Sequence, residues 1–188
     1  AFLRHGQAAV NFLEAHSDLR LAARAYGPDY LSELPGASFG GRLLDPLPFD
    51  GRELGEAFEH LRPPIPEFGV FGKMMVNRAD IQALLAAHRS PRAAWHGLKL
   101  LARYWSDRRR GYSRGTRLLL GNALVARLYK TVRRLGIPVW RDTKALGLRV
   151  QDGRVTGLDV ERDGTPVCIA ARHGVILASG GFPGSLAL

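Results

Sequence analysis

His173-Gly-Val-Ile-Leu-Ala-Ser-Gly-Gly-Phe182 is the stretch on which the reading of this chain turns. Three adjacent apolar residues, Val175 to Leu177, run straight into Ala178, Ser179 and a Gly-Gly pair. A short apolar run that stops at glycines predicts a buried strand of an α/β sheet. Ligands in such sheets sit beyond the carboxyl ends of the strands. Paired glycines at that place let the backbone pass close to a ligand where a side chain would collide. Many α/β proteins need glycine there simply to turn, so what precedes the stretch decides its meaning.

Working upstream, Thr165 to Ala171, Arg154 to Arg162 and Ala145 to Gln151 each alternate in polarity, and Asp163-Gly164 and Asp152-Gly153 separate them. Asp-Gly between alternating runs marks a tight primed turn, so a three-stranded antiparallel meander is predicted. Before it, a helix is predicted from about Asn122 to Leu135. It carries Leu124, Val125, Leu128 and Val132 on one apolar face and Gly136 as its C-terminal cap. Ile137 to Trp140 then reads as a second buried strand. Asn77, with Asp80 three residues on, caps a helix through Ile81, Leu84 and Leu85. Ser90-Pro91 opens another, whose stripe of Trp95, Leu98, Leu101, Ala102 and Trp105 reads as core. Pro28 to Pro66 is rich in proline and glycine and is expected to be mostly loop.

Taken in order, these segments resemble the FAD domain of the fumarate reductase and succinate dehydrogenase flavoprotein superfamily. Within it they are most similar to 3-ketosteroid Δ1-dehydrogenases and related FAD-dependent 3-oxosteroid dehydrogenases. The stretches that carry the resemblance are Pro28–Gly36, Pro46–Phe68, Arg114–Leu128, Leu135–Ala145 and Gly174–Phe182. The fold class so implied is α/β, here an α+β piece: a helical insert joined to part of a FAD-binding domain with parallel strands and the meander. The expected division is residues 1–25, a helix of the FAD domain; 26–116, a loop-rich and helical insert near substrate; and 117–188, the rest of the FAD portion. The Gly-x-Gly-x-x-Gly fingerprint that opens such domains is absent. The chain therefore reads as an internal piece of a longer enzyme, inactive and without retained flavin by itself, with the remainder of its own FAD domain as a partner.

The resemblance implies removal of two hydrogens from a 3-keto steroid ring: a base takes a proton alpha to the carbonyl, and flavin accepts hydride from the neighbouring carbon. The family uses tyrosines for the proton, and one follows the Pro-Asp pair that Pro28-Asp29 resembles, which makes Tyr30 the catalytic candidate. Leu31-Ser32 stands where a second aromatic and a proline are often found. For the cofactor, Ala178, Ser179, Gly180 and Gly181 are expected along the diphosphate and ribityl region of FAD, and the backbone of Thr143, Lys144 and Ala145 by the adenine. A fumarate-type reductase of α,β-unsaturated acids is the second enzyme reading, with Arg114 and Arg117 as candidate carboxylate ligands. A basic, non-enzymatic interaction module is the third.

Composition bounds these readings. With 188 residues, 46% hydrophobic and 23% charged, the chain has the material for a buried core. No apolar run approaches the ~20 residues of a transmembrane helix. The single cysteine, Cys168, excludes an internal disulfide, reads as a small core or edge residue and fits a reducing, cytoplasmic setting. The net charge of +10 is spread along the sequence, and its one dense run, Arg108 to Arg110, lies at a helix end where cations are favourable. No nucleic-acid motif accompanies it, so nucleic acid is not expected as a partner. The six histidines show no metal-ligand spacing, and no metal is expected. Apolar surface left by absent strands is expected to promote homo-oligomers.

Overall fold

The computed structural model describes residues 2–71 and 73–180. It forms two compact units, Ala1–Ile137 and Pro138–Leu188, each with its own packing.

The first unit opens with helix α1 (Phe2–His16), followed by the β1 (Leu21–Ala23) and β2 (Leu44–Pro46) ladder. Strand β3 (Phe49–Asp50) leads into a 3-10 stretch, Gly51–His60, kinked at Gly55. A short 3-10 turn, Pro66–Phe68, precedes the β4 (Gly69–Val70) and β5 (Met74–Met75) pair. Helices α2 (Arg78–Ala86) and α3 (Pro91–Arg109) pack on one another. Strand β6 (Arg117–Leu118) then pairs with β3, and helix α4 (Leu120–Arg134) completes the unit. The expected loop from Pro28 to Pro66 thus contains short ladders and a 3-10 stretch.

The core of this unit gathers Phe49, Leu54, Ala57, Phe58, Leu61, Met75, Leu118, Leu119, Ala123 and Ala126, edged by Tyr112 and Tyr129. Close approach explains one glycine: a Cβ on Gly51 would lie 2.5 Å from the Phe58 ring and 2.9 Å from the Thr116 carbonyl oxygen. Phe58 is fully buried. Covering a phenylalanine side chain of this kind stabilises by roughly 1.5–3 kcal/mol. Asp107, 1% exposed, ties the ends of three elements together. It accepts hydrogen bonds from Arg52 Nε (2.7 Å) and from the Thr116 amide (2.9 Å) and hydroxyl (3.0 Å).

The capping signals read from the sequence hold. Asn77 Oδ1 accepts from the Asp80 amide, and Asp80 Oδ2 accepts from the Asn77 amide, both at 2.9 Å, a complete capping box. Ser90 caps α3 through the Ala93 amide. At the end of α4 the Gly136 amide donates to the Arg133 carbonyl and the Ile137 amide to that of Val132, the paired bonds of a Schellman closure.

On two helices the buried face is turned away from the one the apolar spacing predicts, with Leu101, Leu124 and Val132 half-buried at its edge. On α3, Trp95, Leu98 and Trp105 are 60%, 54% and 59% exposed, while Gly97 and Leu100 are buried. Gly97 lets α2 come close, with Leu84 Cδ2 3.1 Å from where its Cβ would stand, and that contact sets the helix phase. On α4 the buried residues are Ala123, Ala126 and Thr131, whereas Val125 and Leu128 are exposed. Alanines admit a neighbouring backbone more closely than leucine does, and α4 lies against β3, β6 and the 3-10 stretch on that side.

The second unit is the meander: β7 (Thr143–Gln151), β8 (Arg154–Arg162) and β9 (Thr165–Ala170), antiparallel in the order β7-β8-β9. Both hairpin turns take left-handed conformations at Asp152-Gly153 and Asp163-Gly164, as tight primed turns require. Cys168 lies on the edge strand β9 and is exposed, so its reading as an edge residue holds and as a core residue fails. Residues 137–140 and 174–180 are irregular, not strands. Ile176 is 94% exposed and Trp140 44%. A strand exists only through a ladder partner, and every ladder among the described residues is antiparallel. The parallel strands expected from these two apolar runs are therefore not formed.

Candidate functional site

The first unit carries an apolar groove of about 600 Å³ beside the start of α4. One wall is Leu61, Arg62, Pro63, Pro64 and Ile65, the other Leu120, Gly121, Asn122 and Val125, with Met75 between them. Pro63-Pro64 stiffens the first wall because each ring fixes φ. Two side chains hold that wall in place. Asn122 Nδ2 donates to the Arg62 carbonyl at 3.0 Å, and Arg114 Nη2 donates to the carbonyls of Leu61 (2.8 Å) and Phe58 (3.3 Å). The Arg114 guanidinium stacks over the Phe58 ring, 4.2 Å from its centroid.

Charge around the groove is internally matched. Burial pulls the Arg114 pKa down, partly offset by Glu59. Burial alone would raise the Glu59 carboxyl, but the Ser113 hydroxyl and amide, with the Arg114 and Arg108 cations, outweigh it and hold the carboxyl below its usual range. Arg117 is bound to Asp80, Nη1 to Oδ2, at 2.6 Å. Arg114 and Arg117, the candidate carboxylate ligands, are thus committed to internal partners, and Arg62 is the one charged residue in the groove lining. Leu120 enters α4 at φ 49°, a left-handed conformation unusual for leucine. Strain of this kind concentrates at functional sites. The first amides of α4 have no intrahelical partner, and no side chain caps them. The groove can therefore hold an apolar ring system with one polar atom turned toward the helix start.

The predicted residues fall as follows. Tyr30 is fully exposed in a turn. Its neighbour Asp29 faces inward to the loop, accepting from the Ser38 amide (2.9 Å) and Arg42 Nη1 (2.7 Å). Thr143, Lys144 and Ala145 begin β7, with Ala145 opposite Val160. Ala178, Ser179 and Gly180 are exposed and lie outside the ladder, so the sheet itself does not bring the two groups together. Gly181 lies outside the described residues. Two observations fit a share of a FAD site. Gly180 has φ 96°, and a Cβ built on it would meet nothing within 4 Å, the open backbone a close ligand needs. The outer edge of β7 has no ladder partner, which leaves its amides and carbonyls able to pair with the edge of an adenine. Among the described residues, no group of three or more His, Cys, Asp or Glu side chains is placed to hold a metal ion.

The groove was not legible in the sequence. Pro63-Pro64 lies in the stretch expected to be mostly loop, and nothing local signals that Arg62 beside it meets Asn122 of α4, 60 residues on.

Comparison with known proteins gives this geometry a class. Residues 1–188 match the model of the FAD binding domain, and the chain belongs to that family, within the succinate dehydrogenase and fumarate reductase flavoproteins. FAD is the cofactor of the family. The chain is 37% identical over 188 residues to 3-oxosteroid 1-dehydrogenase of Mycolicibacterium smegmatis, covering 96% of this chain and 32% of that protein. It is 35% identical over 181 residues to 4-oxocyclohex-2-ene-1-carboxylate 5-dehydrogenase of Sinomonas cyclohexanicum, covering 96% and 30%. The crystal structure of 3-ketosteroid delta1-dehydrogenase from Sterolibacterium denitrificans, in complex with 1,4-androstadiene-3,17-dione, superposes with a TM-score of 0.80 at 31% identity. That match covers 96% of this chain and 33% of the other. The chain thus spans about a third of the length of the relatives it matches.

Proposed function

We propose that this chain is part of a FAD-dependent dehydrogenase that introduces a double bond next to the carbonyl of a 3-keto steroid. The observation that carries the reading is continuous similarity over 96% of the chain to 3-oxosteroid 1-dehydrogenases. The groove supports it: its volume lies within the usual range for small-molecule sites, and its lining suits an apolar ring skeleton.

Bound FAD supplies the hydride acceptor for such a reaction. The chain's own contribution is positional and acid–base. Tyr30 Oη is proposed to move the proton alpha to the carbonyl, directly or through a relay. The backbone at Ala178, Ser179, Gly180 and Gly181 is proposed to lie along the FAD diphosphate and ribityl chain, and Thr143, Lys144 and Ala145 along the adenine. Residues 1–25 and 117–188 then belong to the FAD-binding domain and 26–116 to an insert beside the substrate. Ile137–Trp140 and Val175–Leu177 become parallel strands once neighbouring strands pair with them. The exposed apolar surface is proposed to support homo-oligomers, and the lone Cys168 a reducing, cytoplasmic setting.

A carboxylated cyclohexenone, as named for the Sinomonas relative, is the competing substrate class. Its carboxylate needs a cation, which in the groove lining is Arg62, since Arg114 and Arg117 are committed to internal partners. The test is turnover by the full-length flavoprotein with an artificial electron acceptor. A panel of 3-keto steroids and cyclohexenone carboxylates should show steroid-dependent reduction. Activity on the carboxylates alone reverses the substrate assignment.

A further inference from the structure

The apolar groove of the first unit holds one unmatched charge. Arg62 lines it, its guanidinium makes no ion pair or hydrogen bond among the described residues, and no acidic side chain shares the lining. Other arginines around this core are committed. Arg52 is bound to Asp107, Arg103 to Asp50, Arg114 to the Phe58 and Leu61 carbonyls, Arg117 to Asp80, and Arg127 to the carbonyls of Asp18 and Pro48. The backbone of Arg62, unlike its guanidinium, is pinned on both sides. Its carbonyl accepts from Asn122 Nδ2 at 3.0 Å, the Leu61 carbonyl before it accepts from Arg114 Nη2 at 2.8 Å, and Pro63-Pro64 fixes the chain after it. The cation is therefore carried at a set place on the wall, beside the start of α4, whose dipole adds potential of the same sign.

We propose that Arg62 binds a carboxylate of the substrate, so that the groove takes a fused-ring ketone that ends in an acid: a 3-keto steroid with a carboxylated side chain. The ketone rests on the dehydrogenase reading above; the carboxylate rests on Arg62. A neutral ring skeleton that fills the groove strips water from the guanidinium and offers nothing in return, which costs binding energy. A carboxylate replaces that water with two parallel, charge-assisted hydrogen bonds to the planar guanidinium fork. The remaining lining is apolar apart from Asn122, whose amide nitrogen is already used. The charge pair then sits against hydrocarbon and is screened less than a pair in open water. Size selects the skeleton. A groove of about 600 Å³ has the volume that drug-sized ligands fill, more than a single six-membered ring with its carboxylate occupies. The rings lie along Leu61, Ile65, Met75 and Val125 and the acid end orients them, which makes Arg62 a specificity-determining residue.

The test uses the full-length flavoprotein, an artificial electron acceptor and a matched pair of substrates, a 3-keto steroid acid and its methyl ester. The parent should favour the acid over the ester in kcat/KM, and added salt should narrow that preference. Arg62→Gln should raise KM for the acid roughly ten- to a hundred-fold, the range of a hydrogen bond to a charged group. Its effect on kcat should be smaller, as for the loss of binding shared by ground and transition states, and the preference for the acid should collapse. Arg62→Lys should recover part of the loss, because it restores the charge without the fork. Val125→Trp narrows the groove without touching the charge and should weaken acid and ester alike. Calorimetric titration with the same pair makes the comparison without turnover. Equal binding of acid and ester by the parent, an acid preference that survives Arg62→Gln, or binding that ignores Val125→Trp overturns the proposal. A cyclohexenone carboxylate whose KM depends on Arg62, with the steroid acid bound no better than its ester, overturns the fused-ring assignment. An Arg62-dependent acid preference in calorimetry with no dehydrogenation of any ring ketone sinks the dehydrogenase reading and leaves the carboxylate assignment standing.

Discussion

Replacing Asp80 by asparagine keeps the shape of the side chain and removes its charge. The residue is 1% exposed and sits at the third position of α2. Its carboxylate accepts from the Asn77 amide at 2.9 Å, Arg117 Nη1 at 2.6 Å and His96 Nε2 at 2.8 Å. Burial pushes its pKa up, but the Asn77 amide, Arg117 and His96 together outweigh that and hold the carboxyl below its usual range. Breaking a buried pair by removing one partner costs roughly 3–5 kcal/mol. Arg117 keeps 21% of its side chain accessible to water, which lowers the expectation to about 3 kcal/mol. Asparagine retains one acceptor for the capping box but turns an amide NH2 toward a cation. At about 2–4 °C per kcal/mol for a domain of this size, the midpoint should fall by about 6–12 °C. The assay is thermal and urea unfolding followed at 222 nm, which reports the helices. The pH dependence has a definite sign. A folded pKa below the unfolded one gives stability that is complete above the unfolded carboxyl range and lost as pH falls through the folded value. The gap between parent and Asp80→Asn should therefore be constant from neutral pH down to about 5 and close below about 4. A loss under 1 kcal/mol at neutral pH, or a gap that widens on acidification, would refute the reasoning.

Gly51→Ala drives a methyl into the Phe58 ring and the Thr116 carbonyl; it should destabilise by about 1–3 kcal/mol, read as a lower urea midpoint at unchanged slope. Gly180→Val places a β-branched residue at φ 96° in open space; the fold should hold while the full-length protein loses flavin, measured as absorbance near 450 nm per polypeptide, and normal flavin content would reject the proposed diphosphate contact. Tyr30→Phe in the full-length enzyme should leave substrate binding intact and lower turnover by ~10²–10⁴-fold; turnover within a few-fold of the parent would make Tyr30 a surface residue.

Local chemistry was readable wherever a signal and its partner lie a few residues apart. The capping box at Asn77, the Ser90 cap, the Asp-Gly turns and the Schellman closure at Gly136 all connect residues within five positions, so their hydrogen bonds are implied by the order of the sequence. The helical phase was not readable in the same way. Leu124, Val125, Leu128 and the Trp95 stripe are the larger apolar side chains, and size alone suggested the core. Which face turns inward was decided by Ala123, Ala126 and Gly97, whose smallness matters only once a neighbouring element arrives.

By itself the sequence determined the family, through the order of its segments, and the antiparallel meander, because hairpins close over short distances. Only the tertiary structure decided what 60-residue separations bring together: the groove between Arg62–Ile65 and the start of α4, and the capture of Arg114 and Arg117 by internal acceptors. It also showed that the apolar runs at Ile137 and Val175 are irregular without a strand beside them. A strand is stabilised by the neighbour it pairs with, and an apolar run, however well patterned, carries no such neighbour within itself.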